Sequence, residues 1–189
     1  MGIKYAGVHV RHQEAAVSIE QIKKTIRDVP DFPKKGILFK DITTVLQQGD
    51  LLTEVIDTMV AHYKNKGITK VIGIESRGFI FSAPLAYKLG AGLVPIRKKG
   101  KLPSKTITAT YQLEYGTDTL EMHADAVAKG EKVIIVDDLL ATGGTMGAAV
   151  QLTQQLGGVV AGLGFLIELK FLNGRQKLGS YDIYSLIQF

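Results

Sequence analysis

The chain has 189 residues, 46% of them hydrophobic and 22% charged, a balance that suits one globular unit with a sizeable core and is too short for two full-sized domains. It contains no cysteine, which removes disulfide frameworks, cysteine-built zinc sites and thiolate nucleophiles from consideration. The formal net charge of +5 favours anionic partners, and nucleic acid and phosphorylated small molecules satisfy it equally.

Residues 1–18 carry Lys4, His9, Arg11, His12 and Glu14 around no apolar centre, so they read as a polar tail and not as a secretory signal. Ser18, with Gln21 three residues on, has the spacing of a capping box, and the spacing of Ile19, Ile22 and Ile26 predicts a helix to about Asp28. Pro30 to Gly36 is a loop, because two prolines and a glycine cannot continue a helix. Leu52, Val55, Ile56, Met59, Val60 and Tyr63 predict a helix from Asp50 to Lys66, ended by Gly67. Val71 to Ile74 is a short buried strand, followed by a Glu75-Ser76-Arg77-Gly78 turn and a helix to about Leu89. Gly92 to Ile96, Val133 to Val136 and Val159 to Glu168 are further strands, and Thr145 to Leu156 is a helix closed by Gly157-Gly158. The longest nearly apolar run, Leu156 to Ile167, is shorter than the roughly 18–20 residues that cross a bilayer. A cytoplasmic protein without membrane contact is expected.

Strands apolar on both faces and alternating with helices imply an α/β fold with a mostly parallel sheet covered on both sides. Ligands in such folds bind beyond the carboxyl ends of the strands. One segment departs from the pattern: Thr110 to Tyr115 and Asp118 to His123 predict a hairpin around Gly116-Thr117. It follows a basic stretch holding Arg97, Lys98, Lys99, Lys101 and Lys105 together with Gly100 and Pro103, the composition of a mobile flap.

The most informative stretch is Val133 to Thr145, VIIVDDLLATGGT, where apolar strand residues lead into Asp137 and Asp138. Ala141, Thr142, Gly143, Gly144 and Thr145 then open a helix. Glycines admit a ligand close to the backbone, and the free N–H groups of a helix start suit a phosphate dianion. Two acids beside that nest would repel a bare phosphate. A ribose 5-phosphate resolves the conflict, since its hydroxyls donate to the acids and negative charge steadies the cationic sugar formed as the anomeric bond breaks. A nucleoside-triphosphate loop needs a lysine where Gly144 stands, and the dinucleotide glycine spacing is absent. On this pattern the segment resembles the phosphoribosyl-pyrophosphate motif of type I phosphoribosyltransferases.

Two further segments extend the resemblance to the adenine branch of that family: DFPKKGILFKDIT at 31–43, and GKLPSKT, TYQLEYG and TDTLEMH between 100 and 123. The similarity runs over roughly residues 19–189. It implies the type I fold across 1–189, with a base-binding hood at 30–43 and a flexible flap at 97–123. Glu75, Ser76 and Arg77 would form the pyrophosphate loop, assisted by Lys101, and the family's cis peptide would fall at Glu75-Ser76. Read without the family, Arg77 is a surface arginine paired with Glu75. Phe39 would stack on adenine, with the backbones of Leu38 and Lys40 reading its edge, and Lys40 stands where many relatives carry arginine. Glu114 would serve as general acid/base, with Tyr115 closing over the site, while Tyr111 reads as a packing residue.

The reaction implied is phosphoribosyl transfer from 5-phosphoribosyl 1-pyrophosphate to adenine, giving AMP and pyrophosphate. Mg²⁺ would arrive on the substrate and its waters without direct protein ligands. The family also implies a homodimer and gives no role to nucleic acid. Two other readings stay open on sequence: a regulator of the same fold that senses the sugar phosphate, and an enzyme of that fold acting on guanine, xanthine or orotate. His9, His12, His62 and His123 have no metal-ligand spacing and read as structural or exposed.

Overall fold

The computed structural model describes residues 17–112 and 116–189. Ser18 caps α1 (Ile19–Thr25) by accepting a hydrogen bond from the Gln21 N–H at 3.2 Å. This helix is three residues shorter than the sequence suggests. Ile26 turns extended, and β1 (Arg27–Pro30) leaves to pair antiparallel with β2 (Leu38–Asp41), placing Val29 opposite Phe39. The proline-rich loop is therefore the tip of a two-stranded hood, with Phe32-Pro33 cis. A short α2 (Thr43–Leu46) leads to α3 (Gly49–Tyr63), which ends at Tyr63, ahead of Lys66.

The main sheet has seven strands in the order β5-β6-β4-β3-β7-β8-β9. Its parallel part comprises β4 (Gly92–Lys98), β3 (Lys70–Ile74), β7 (Lys132–Leu140), β8 (Val159–Glu168) and β9 (Ile183–Gln188). The hairpin of β5 (Thr106–Gln112) and β6 (Thr117–His123) is longer than expected, starting four residues earlier, and attaches antiparallel along β4 through Arg97–Glu121 and Lys98–Leu120. The final strand and the short α6 (Gly174–Lys177) were not foreseen, because a strand as short as Ile183–Gln188 carries little periodic signal.

Side-chain alternation divides the core into two layers. Val71, Ile134 and Val136 face α3 and α4 (Gly78–Leu89), whereas Ile72, Ile74, Val133 and Ile135 face α5 (Gly144–Gln155). On the first face Tyr63 lies fully buried across β8, where only glycine leaves room for it. A Cβ on Gly162 would sit 2.8 Å from Tyr63 Cε1. Gly162→Ala should therefore cost about 1–3 kcal/mol through overpacking, read as a lowered denaturation midpoint with an unchanged denaturant slope.

Along the chain, β3 is followed by β4 on one side of it and later by β7 on the other. The carboxyl ends of β3 and β7 thus flank the point where the winding of the sheet reverses, which is where parallel sheets open a crevice.

Candidate active site

β7 extends through Leu140, so Asp137 and Asp138 belong to the strand and do not follow it. Its alternation sends their side chains to opposite faces, yet both stand at the mouth of the crevice. Asp138 is 4% exposed, and its Oδ2 forms an ion pair with Arg77 Nε at 2.9 Å. Asp137 Oδ1 accepts from the Asp138 N–H at 2.9 Å. Burial, reinforced by the Asp138 charge, holds the Asp137 carboxyl well above the usual carboxylate range. Burial raises Asp138 as well, with the Arg77 guanidinium opposing it.

The loop after β7 is shaped by backbone packing. Gly143 has φ 81°, and a Cβ there would lie 2.7 Å from the Gly174 carbonyl oxygen, so glycine is required twice over. No side chain caps α5, which leaves its first N–H groups facing a hollow of about 70 Å³. Asp137, Ala141, Thr142, Gly143, Gly144 and Thr145 all line that hollow, whereas Asp138 does not. On the other strand, Gly78 lets α4 start against β7, since a Cβ there would meet the Val136 carbonyl at 2.8 Å.

Glu75, Ser76 and Arg77 stand beside the acids. The Glu75-Ser76 peptide is cis. Arg77 does not pair with Glu75, as the reading without the family would have it. Glu75 Oε2 instead accepts from Arg97 Nε at 2.7 Å and from the Lys98 N–H at 3.3 Å, leaving Arg77 for Asp138. The Arg77 guanidinium also lies 5.2 Å from the centre of the Phe39 ring, so this one side chain reaches both the hood and Asp138.

In the hood, Phe39 meets Phe32 edge-on at 5.1 Å, and both line an apolar hollow of about 170 Å³ with Val29 and Asp41. The Lys40 ammonium turns away from it, bonded to Asp28 at 2.5 Å and lying 3.9 Å from the Phe189 ring. Leu38 is half exposed. Lys101 stands at the start of the flap, where Glu121 Oε1 accepts from the N–H groups of Lys101 at 2.9 Å and Leu102 at 2.8 Å. Those N–H groups hold the Glu121 carboxyl below its usual range although burial opposes them. Glu114 and Tyr115 lie outside the described residues, as do His9 and His12. His62 is a structural residue that pairs with Asp182 and stacks on Tyr184.

Two residues given no site role from sequence also shape this region. Tyr111, read from the sequence as packing, lies against Gly144 and donates to Asp118 Oδ2 at 3.4 Å, so the hairpin packs against the start of α5. Glu121 carried no signal, since a carboxylate binding backbone N–H groups twenty residues away has no local pattern. Among the described residues no group of three histidine, aspartate or glutamate side chains could hold a metal ion, and no helix is long and apolar enough to cross a membrane.

A paired-acid strand end, a glycine helix start and an arginine loop at one switch point are the marks of a phosphoribosyl-binding protein. Residues 41–178 match the phosphoribosyl transferase domain. The adenine phosphoribosyltransferase of Solibacter usitatus is 58% identical over 168 residues, covering 89% of this chain and 97% of that protein. The crystal structure of adenine phosphoribosyltransferase from Thermoanaerobacter pseudethanolicus superposes with a TM-score of 0.89 at 53% identity, covering 91% of this chain and 100% of that one. The Saccharomyces cerevisiae enzyme, complexed with an imino-altritol bisphosphate and adenine, superposes at 0.85 with 40% identity, covering 89% and 97%. The chain belongs to the adenine phosphoribosyltransferase family.

Burying Asp137 as a charge works against the fold. Its folded-state value lies above the unfolded one, so the charged form costs stability above the folded value. That cost disappears as pH falls through the folded value towards the unfolded range. Asp137→Asn should accordingly melt higher than the unaltered protein at neutral pH. Thermal melts across a pH series should show the advantage shrinking in acid.

Proposed function

We propose that this protein transfers the phosphoribosyl group of 5-phosphoribosyl 1-pyrophosphate to adenine, giving AMP and pyrophosphate. The observation that carries the reading is the adjacency of three chemically distinct surfaces. These are the uncapped glycine helix start, the Asp137–Asp138 pair, of which Asp138 is buried and Asp137 half-buried, and the aromatic hood, with Arg77 joining Asp138 to Phe39.

In this reading the 5-phosphate occupies the Ala141–Thr145 loop, and the ribose hydroxyls donate to Asp137 and Asp138. As the bond to pyrophosphate breaks, the sugar becomes cationic, and two carboxylates in a poorly solvated crevice stabilise it more strongly than they could in water. The departing pyrophosphate is received by Glu75-Ser76-Arg77 through backbone and guanidinium, with Lys101 of the flap adding charge. Adenine stacks on Phe39, with the Leu38 and Lys40 backbones reading its edge. The diversion of the Lys40 side chain to Asp28 and Phe189 supports a backbone-only role there. Glu114 is assigned the proton transfer at the imidazole half of the base, and residues 97–123 act as the flap that excludes competing water.

Mg²⁺ enters with the pyrophosphate. The pairing of Asp138 with Arg77 supports a metal held by phosphate oxygens, sugar hydroxyls and water, since that acid is already engaged. When bound, the ion neutralises the leaving group. A homodimer is supported by the apolar face that Ile80 and Tyr87 share on α4, with Tyr87 86% exposed and Leu93 of β4 also bare. A cytoplasmic setting suits substrates too highly charged to cross a bilayer.

The test is product formation from phosphoribosyl pyrophosphate and Mg²⁺ with adenine, guanine, xanthine and orotate in parallel. Adenine alone should react, and chelation of Mg²⁺ should abolish turnover reversibly. Phe39→Ala should raise the KM for adenine by roughly 5–100-fold, the worth of one stacked base. Asp138→Asn and Glu114→Ala should each lower kcat by about 10²-fold or more. Turnover with another base, or with none, would contradict the reading.

A further inference from the structure

Glu168 closes β8 directly opposite Leu140, the last residue of β7 before the glycine loop. It is 5% exposed, so its charge has to be matched by close partners. Arg175 supplies two parallel bonds, Nε to Oε1 at 3.0 Å and Nη2 to Oε2 at 2.6 Å. The Ser185 hydroxyl donates to Oε2 at 2.6 Å, and the remaining Arg175 arm donates from Nη1 to the Ile183 carbonyl at 2.9 Å. The Arg175 bonds hold the Glu168 carboxyl below its usual range against the effect of burial, so the pair is ionised wherever the enzyme works. These groups bind β8, β9 and the α6 turn together behind the loop. Glu168 and Arg175 line a separate hollow and not the one assigned to phosphate.

The turn held in this way is in backbone contact with the phosphate loop. A Cβ on Gly174, next to Arg175, would lie 2.1 Å from the Ala141 carbonyl oxygen and 3.0 Å from the Gly143 nitrogen. In return, a Cβ on Gly143 would lie 2.7 Å from the Gly174 carbonyl oxygen. With no side chain between them, a displacement of the turn passes straight into the loop. Phosphate binding by N–H groups tolerates only about half an ångström of such displacement.

We propose that the Glu168–Arg175 pair, tied to Ser185, is a positioning brace that holds the Ala141–Gly144 loop in its phosphate-accepting shape through Gly174. The brace touches no substrate and acts only through the loop. It rests on the assignment of that loop to the 5-phosphate.

The experiment compares Arg175→Met and Glu168→Gln with the unaltered enzyme. The KM for phosphoribosyl pyrophosphate and the inhibition constant of AMP should rise by about tenfold. The KM for adenine, measured at saturating phosphoribosyl pyrophosphate, and kcat should stay within about twofold. Arg175→Lys, which keeps the charge and loses the fork, should fall between. Parallel loss of both substrates, or no change in either, would overturn the brace, because a purely structural role has no reason to single out the phosphate-bearing ligand. Should Arg175→Met not fold, Ser185→Ala tests the same claim, with a selective rise of about threefold expected and unchanged constants contradicting it. Thr145→Ala serves as the reference for the loop itself. If it leaves the phosphoribosyl pyrophosphate KM unchanged, the loop assignment fails, whereas a selective rise with silent brace variants rejects the brace alone.

Discussion

Two neighbouring carboxylates, one buried and one half-buried, at the end of a central strand are the constraint on which the rest of the site depends. Asp137 and Asp138 cannot both hold charge in that position without nearby compensation, and burial pushes each towards the neutral form. Arg77 supplies the fixed counter-charge from the turn after the neighbouring strand β3. It reaches Asp138 because Gly78 allows α4 to begin in contact with the β7 backbone. The strand order follows the same need, since only at the reversal between β3 and β7 do an acid strand and an arginine loop share one crevice. A ligand that brings hydroxyls and gains positive charge as it reacts relieves this electrostatic tension. In the proposed reaction, the destabilising pair and the pair that receives the ribose are the same two residues.

Around the acids, most positive groups are already committed in ways that fix the backbone. Arg97 holds Glu75, Arg175 holds Glu168, and Lys98 lies 3.4 Å from Asp118 on the flap hairpin. Glu121 fastens the start of the basic segment through N–H groups and not through a lysine side chain. The carboxylates of the Arg97 and Arg175 pairs are largely buried, where desolvation offsets much of the Coulombic gain, so the value of these pairs lies in placing loops. These paired cations are local architecture, and the net charge of +5 comes from cations outside such pairs.

The sequence made the parallel core legible because its strands are short apolar runs followed by helices with clear spacing. The phosphate segment was legible because its chemistry is contiguous: acids, glycines and threonines within nine residues of one another, 137–145. What depends on distant partners was not visible. Arg77 pairs with Asp138, sixty-one positions away, and not with its neighbour Glu75, because the β3–β7 register decides the matter. Asp137 and Asp138 proved to be strand residues, since pairing with β8 carries β7 on to Leu140. The hood strands went unseen because Arg27–Pro30 and Leu38–Asp41 are four residues each, half of them charged and without regular alternation, formed by pairing and not by propensity. Tyr111 looked like packing because only the folded hairpin brings it against Gly144.

The most direct test of this account is a crystal structure of the protein with phosphoribosyl pyrophosphate, Mg²⁺ and an unreactive adenine analogue. The account places the 5-phosphate on the Gly143–Thr145 N–H groups, the ribose hydroxyls on Asp137 and Asp138, and the base on the Phe39 ring. A phosphoribosyl group bound away from the β7 end, or ribose hydroxyls out of reach of both carboxylates, would contradict it.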